Sequence, residues 1–294
     1  MFTQLLGTIA PVMIVIAVGY LWAKIKKPYD TRFVSDLVIN AGSPCLIVAS
    51  LVSVNLNTGA LLQVFFACVL VMMAAGMIAG IGLRLTGQSV STYLPAMVFP
   101  NIGNMGLPLC LYAFGAQGLA LAVAYFTTVS IFMFTCGPLI AKGGLKDGLL
   151  NILKHPIIIS VVVALGIKVS GVALPVWMMR PVQLIGDITI PLMLFTLGVS
   201  LSRLKVENLA RSILFGSLRI LLGLGTGLLV VAVLGITGTP RGVILIQASM
   251  PVAVFNYLFA VQYDRSPELV AGIVVFSTLI SFCALPLILT LAAN

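Results

Sequence analysis

The sequence predicts an all-α membrane protein of ten transmembrane helices, arranged as two inverted five-helix repeats with helices 4 and 9 broken. Three observations carry this. Hydrophobic residues make up 61% of the 294, charged residues 8%, and the mean hydropathy is +1.20. A soluble domain carries about 25% charged residues. The apolar residues come in long runs, not in the ~10-residue alternation of a membrane barrel. At roughly 20 residues per crossing, the length holds about ten helices. Finally, the two halves of the chain match each other at a fixed shift.

Residues 4–23 open the series; they lack a basic leader and stay apolar to Trp22, so they read as a span and not as a cleaved signal. "KIKKPYDTR" separates them from 33–53, and "VNLNTG" separates that span from 60–83. The fourth and fifth spans follow at 92–113 and 117–140. "KGGLKDG" then begins a charged linker, and 156–172 and 180–201 come after it. The last three spans are 211–234, 241–262 and 268–292, with "ITGTPRG" ahead of the ninth. Each connection holds the turn formers and charges expected between helices. The organisation is therefore a first repeat at 1–141, a cytoplasmic linker at 142–155 and an inverted second repeat at 156–294.

The net charge of +9 does not mark a nucleic-acid binder, because the charges lie in inter-helix loops and leave no soluble basic face. Taking loops alternately, one side holds Lys24, Lys26, Lys27, Arg32, Arg84, Lys142, Lys146, Lys154, Arg203, Lys205, Arg211 and Arg265. The other holds Lys168, Arg180 and Arg241. The first side is cytoplasmic, which puts both termini outside; the expected location is the inner (cell) membrane of a bacterium.

A shift of 147 places Gly19 on Gly166, Pro28 on Pro175, Asn40 on Asp187, Pro44 on Pro191, Gly76 on Gly223 and Gly80 on Gly227. Near that shift "FTCGPLI" from Phe134 matches "FCALPLI" from Phe282. Five of these pairs are identical Gly or Pro, where chance gives about two. Five helices per half is an odd number, so the second half enters the membrane from the opposite side. Inverted repeats of this kind mark secondary transporters. The glycine pairs Gly76/Gly80 and Gly223/Gly227 are expected to be seams for close helix packing.

Residues 98–111, "VFPNIGNMGLPLCL", place helix breakers and amides inside the fourth span. Pro100 and Pro108 each remove a helical donor and disfavour helix at the preceding residue. Gly103 and Gly106 permit unusual backbone, and Asn101 and Asn104 supply donors and acceptors. In hydrocarbon, irregular backbone survives only where it is buried or lines a polar cavity. The inverted partner is the ninth span, "IQASMPVAVFNYLFA", where Pro251 sits among Gln247, Ser249 and Asn256. Interrupted spans at corresponding places point to a transport site, and half-helix N-termini favour an anion there. The candidate substrate-binding residues are thus Asn101, Asn104, Gln247, Ser249 and Asn256. The plain alternative is a proline kink packed against its neighbours.

These residues resemble the auxin efflux carrier family, including its bacterial organic-acid transporter members, within the bile acid/auxin transporter superfamily. "NIGNMGLP" (Asn101 to Pro108) resembles the family's Asn-x-Gly-x-x-Gly-x-Pro break. "ASMPVAVFNYLFA" (Ala248 to Ala260) resembles its ninth-helix break, and "FSTLISFCALPL" (Phe276 to Leu287) its last helix. The likeness in spacing covers all ten spans. It implies crossing broken helices in a mobile core, a scaffold of spans 1, 2, 6 and 7, elevator-type movement, and a homodimer through the scaffold. The alternative it raises is a sodium- or proton-coupled symporter of the bile-acid type. The ninth break offers Gln247 and no carboxylate, which weighs against sodium.

Asp187, opposite Asn40 in the repeat, lies inside the seventh span; a carboxylate there is a proton site, a structural pair or a residue near a water-filled vestibule. Arg219, inside the eighth span, is open to three readings: neutralising a substrate carboxylate, pairing with Asp187, or snorkelling to the cytoplasmic side. Thr278 and Ser281 either line the crossing or bond back to their own helix. Cys45, Cys68, Cys110, Cys136 and Cys283 have no CxxC neighbour and are read as core residues. His155 reads as a loop or cap residue. No HExxH, Asp-rich or GxxxxGK[ST] motif occurs, so no enzyme, metal or cofactor is expected. The chain therefore reads as a secondary transporter of a small organic anion, a carboxylate or auxin-like acid, in the lipid bilayer.

Overall fold

The structure is a computed structural model that describes residues 2–53, 58–142, 156–170, 172, 174–204 and 207–293. The linker expected from 143 onward, with Lys146, Lys154 and His155, lies outside the described residues, as does Lys205.

Helix α1 (Phe2–Lys24) is followed by α2 (Thr31–Leu37), which a wide π turn at Val38–Gly42 joins to α3 (Ser43–Ser53). Asp30 caps α2, its Oδ1 accepting from the amides of Arg32 at 2.9 Å and Phe33 at 3.1 Å. The π turn has a local cause. Pro44 lacks an N–H and its ring crowds the carbonyl one turn back, so the helix widens. Helix α4 (Thr58–Leu85) and the short α5 (Val90–Val98) come next, then a second π turn at Ile102–Gly106 that runs into α6 (Leu107–Lys142). Gly115, with φ 64° and ψ −155°, bends α6 sharply and separates the fourth expected span from the fifth.

In the second half, α7 (Pro156–Ser170) precedes α8 (Val176–Asp187) and α9 (Thr189–Arg203), which adjoin at Ile188. Helix α10 (Leu209–Val233) is long, α11 (Gly238–Ala248) and α12 (Val254–Gln262) flank a break, and α13 (Pro267–Ala293) closes the chain. Each of the ten expected segments carries helix. By length and composition, seven stretches among the described residues are long and apolar enough to cross a membrane. The difference has physical causes. Residues 156–168 are short, the stretch Ile102–Met133 runs through the Gly115 bend, and the α11–α12 region is cut by its break. Large apolar side chains such as Leu85, Trp177, Leu184 and Val233 face outward, as lipid-facing helices require.

The helices pack in two groups. In the first, α1 lies along α9, and α3 lies against α7 and α8. Gly19 meets the Phe195 backbone, and Gly198 meets the Ile16 carbonyl and the Tyr20 amide, so both helices approach at backbone distance. Tyr29 Oη and Thr196 Oγ1, 2.6 Å apart, join the α1–α2 loop to α9. The second group holds α4, α5, α6 and α10 to α13, with α10 packed along α13 where Gly216 meets the Ser277 amide.

The expected glycine seams divide. Gly223 lies against the Ala248 carbonyl and Gly227 against Ala248 Cβ at 3.2 Å, so that pair is a seam. Gly76 meets Val98 Cγ2 no closer than 3.8 Å and Gly80 meets nothing within 4 Å, which corrects the expectation for the first repeat.

Candidate functional site

Helix α5 stops at Val98 because Pro100 cannot continue it, and Phe99 turns extended (φ −97°, ψ 98°). Asn101 is also non-helical, with φ −79° and ψ 59°. The unwound part is shorter than the sequence indicated. Leu107 is helical (φ −59°, ψ −52°), its amide donating to the Ile102 carbonyl, and Pro108 follows as the second residue of α6. It stands after its π turn as Pro44 stands after the first, so its ring widens the preceding turn and does not unwind it. In the second half, α11 ends at Ala248, Ser249 leaves the helix, and Ala253 is extended (φ −66°, ψ 139°) before α12 begins.

The two breaks meet. Pro100 and Val252 form an antiparallel bridge. The Asn101 amide donates to the Pro251 carbonyl at 2.7 Å, and the Ala253 amide to the Phe99 carbonyl at 3.3 Å. Phe99 O also accepts from Asn256 Nδ2 at 2.9 Å, and the Val252 amide donates to Ser277 Oγ at 3.0 Å. Each break thus satisfies the other's main chain, which is the condition for non-helical backbone inside an apolar body.

This pairing changes what a ligand would meet. The sequence gave that role to polar side chains together with free amides at the half-helix ends, and the amides of Asn101, Val252 and Ala253 are already engaged. Side chains remain. Asn101 Nδ2, Gln247 Nε2 and Oε1, Ser249 Oγ, Asn256 Oδ1 and Arg219 Nε are buried without a hydrogen-bond partner. Native interiors hold few such groups, so several around one crossing call for an occupant. Gln247 lies directly on Gly106, whose absent Cβ leaves room for the amide. Gly103 meets Met193 of α9 and Phe126, which brings the first break against the other helix group. Asn104 is half-buried in the π turn Ile102–Gly106.

Arg219 is 2% exposed, and its Nη2 donates to the Ala248 carbonyl at 2.9 Å. Neither snorkelling nor a pair with Asp187 is realised: Arg219 makes no ion pair among the described residues, and Asp187 is exposed. Asp187 and Asn40 stand instead where two irregularities of the first helix group touch. Gly42 meets Thr189 Oγ1 there, and Gly186 meets the backbone of Cys45 and Leu46. Asn40 is exposed too, its Nδ2 donating to the Asp36 carbonyl at 2.8 Å.

Thr278 and Ser281 bond back to their own helix, donating to Val274 O and Thr278 O, each at 2.7 Å. Ser277, which the sequence reading did not single out, is the residue of that helix that holds the break. Its place one turn before Ser281, on the same face, was the available signal. Tyr93 was missed as well; its ring stacks on Phe215 at 4.0 Å and its buried hydroxyl lacks a partner. No sequence feature marked it. Among the described residues, no group of His, Cys, Asp and Glu is arranged to hold a metal.

Comparison with known proteins gives one family and two relatives. The family described as membrane transport protein matches the chain twice, over residues 4–148 and 144–289. An uncharacterised transporter of Methanocaldococcus jannaschii is 24% identical over 297 residues, covering 94% of this chain and 95% of the relative. An uncharacterised transporter of Methanothermobacter thermautotrophicus is 26% identical over 294 residues, covering 95% and 96%.

Proposed function

Because the chain belongs to the membrane transport protein family, to which its likeness to auxin efflux carriers pointed, we propose that it is a secondary transporter of a small organic anion. A carboxylate or auxin-like acid binds where the breaks meet and is carried by elevator-type alternating access. The observation that supports this best is the set of buried, unpartnered donors at Asn101, Gln247, Ser249 and Arg219, gathered at paired helix breaks with no carboxylate among them. Inverted repeats fit the double family match, and the separate packing of α1–α3 with α7–α9 offers a scaffold against which the other helices slide. The protein sits in the cell membrane with both termini outside.

Proteoliposome flux across a panel of mono- and dicarboxylates tests the reading. Asn101→Ala removes a buried donor and is expected to lower flux at least tenfold, with a smaller loss for Asn104→Ala, whose side chain is only half-buried, since a hydrogen bond to a charged ligand is worth about 1.5–3 kcal/mol. No flux with any carboxylate, and no loss in either variant, sinks it.

Two copies join through the scaffold helices. The exposed Asp187 carboxylate, in the midst of the apolar stretch Val176–Arg203, supports this, because a charge there is costly against lipid. A cysteine introduced at 187 should cross-link two chains in native membranes; monomeric chains under those conditions would count against it.

A further inference from the structure

We propose that the Arg219 guanidinium is an intrinsic cation at the second break, standing where a bound metal ion or proton would otherwise sit and holding the end of α11 through the Ala248 carbonyl. The inference rests on the reading of the paired breaks as the transport site and adds the source of that site's positive charge.

The C-terminal end of a half-helix carries partial negative charge and unpaired carbonyls, and transporters with broken helices place their coupling cations there. Ala248 is the last residue of α11, and its carbonyl already accepts from Arg219 Nη2 at 2.9 Å. The space for this is made by sequence. Gly223 lies one helical turn beyond Arg219, and a Cβ on it would strike the Ala248 carbonyl and come within 2.8 Å of Arg219 Nη1. An arginine and a glycine at this spacing on α10 therefore build a slot for a guanidinium against the neighbouring half-helix.

Among the described residues no acidic side chain cancels the charge. Of the seven acidic residues, the six that are described (Asp30, Asp36, Asp187, Glu207, Asp264 and Glu268) are all exposed. Arg219 Nε has no partner, and Gln247 and Ser249, on either side of Ala248, hold buried polar atoms that are also unpaired. A permanently charged guanidinium cannot shed its proton to escape burial. Its complement is an anion, and a singly charged anion bound beside it leaves the pocket neutral. A second cation in the same place would meet repulsion and an occupied carbonyl.

Thermal unfolding of the purified full chain tests this without any organic anion. The wild-type protein is expected to melt at the same temperature in sodium chloride and in N-methylglucamine chloride of equal ionic strength. Arg219→Ala should melt lower and regain about half of the loss or more in millimolar guanidinium chloride, but not in N-methylglucamine chloride, since a ligand that binds the folded state raises its stability. Should the alanine variant not purify, Arg219→Lys and Arg219→Gln decide. The lysine variant should remain indifferent to sodium, and the neutral glutamine variant should become stabilised by it. Sodium stabilisation of the wild type, recovery of Arg219→Ala that is absent or equal in both salts, or identical behaviour of the Lys and Gln variants overturns the proposal. A failure of anion recognition would appear in the flux panel with these cation responses intact, so the two readings fail separately.

Discussion

Replacing Gly223 by alanine is expected to destabilise the protein by about 3–5 kcal/mol, the largest loss for any single methyl added to α10. Overpacking a tight contact costs about 1–3 kcal/mol when neighbours can shift. Here the obstacle is the Ala248 carbonyl, part of the backbone that ends α11, and it cannot swing away. The same methyl crowds Arg219 Nη1, so the charged hydrogen bond to Ala248 is lost as well, adding about 1.5–3 kcal/mol. Two glycines serve as internal controls. At Gly227 a methyl would meet Ala248 Cβ at 3.2 Å and Leu245 Cδ2 at 3.4 Å, a milder contact. At Gly80, the partner of Gly227 in the repeat, it would meet nothing within 4 Å. Gly80→Ala should be neutral or stabilising by about 0.5–1 kcal/mol through helix propensity. Melting temperatures of the three variants in one detergent check the order; equal effects at 223 and 80 would refute the seam.

Gly106→Ala is expected to lower transport on the order of 100-fold while leaving most of the stability. Its methyl would overlap Gln247 Oε1 and reach Gln247 Cδ at 2.8 Å, but in this case the obstacle is a side chain. The amide can yield, and in yielding it shifts Gln247, one of the unpaired groups at the crossing. A displacement of about 1 Å in a binding constellation is worth roughly two orders of magnitude in rate. Gln247→Ala in the same chain should relieve the clash, so the double variant should melt at or above Gly106→Ala. Such non-additivity is the signature of two residues in contact. Initial rates in proteoliposomes and melting curves together distinguish this from a folding defect; a parallel collapse of both would contradict it.

The positions of the helices were legible because lipid imposes one rule on composition, and apolar runs of about 20 residues obey it. The breaks were legible for a related reason. Pro100 stands among glycines and asparagines and Pro251 among Gln247, Ser249 and Asn256, which favours a break over a plain packed kink at both places. The extent of the first break was not, since a proline reads the same whether it ends a helix or widens the turn before it, and Pro108 does the second. The π turn at Val38–Gly42 was within reach through Pro44, whose ring forces the widening, yet the repeat drew attention to Pro44 as a match and not as a cause. Which polar groups remain free was beyond sequence. That depends on pairings between positions far apart in the chain, such as Ser277 with Val252 and Asn256 with Phe99. Arg219 could be seen as a charge in a span, but its partner is a main-chain carbonyl, which every residue possesses and no sequence pattern marks.

The hydrogen bond from Asn101 to Pro251 joins residues 150 positions apart (251 minus 101), and this bears on biosynthesis. At about 5–20 residues per second of translation, the first interruption waits roughly ten to thirty seconds after synthesis before its partner exists. During that interval the carbonyl of Phe99 and the amide of Asn101 have no mate, and acyl chains offer none. The nascent chain must therefore be sheltered beside the insertion machinery, or in a hydrated niche, until the ribosome has delivered the later segment.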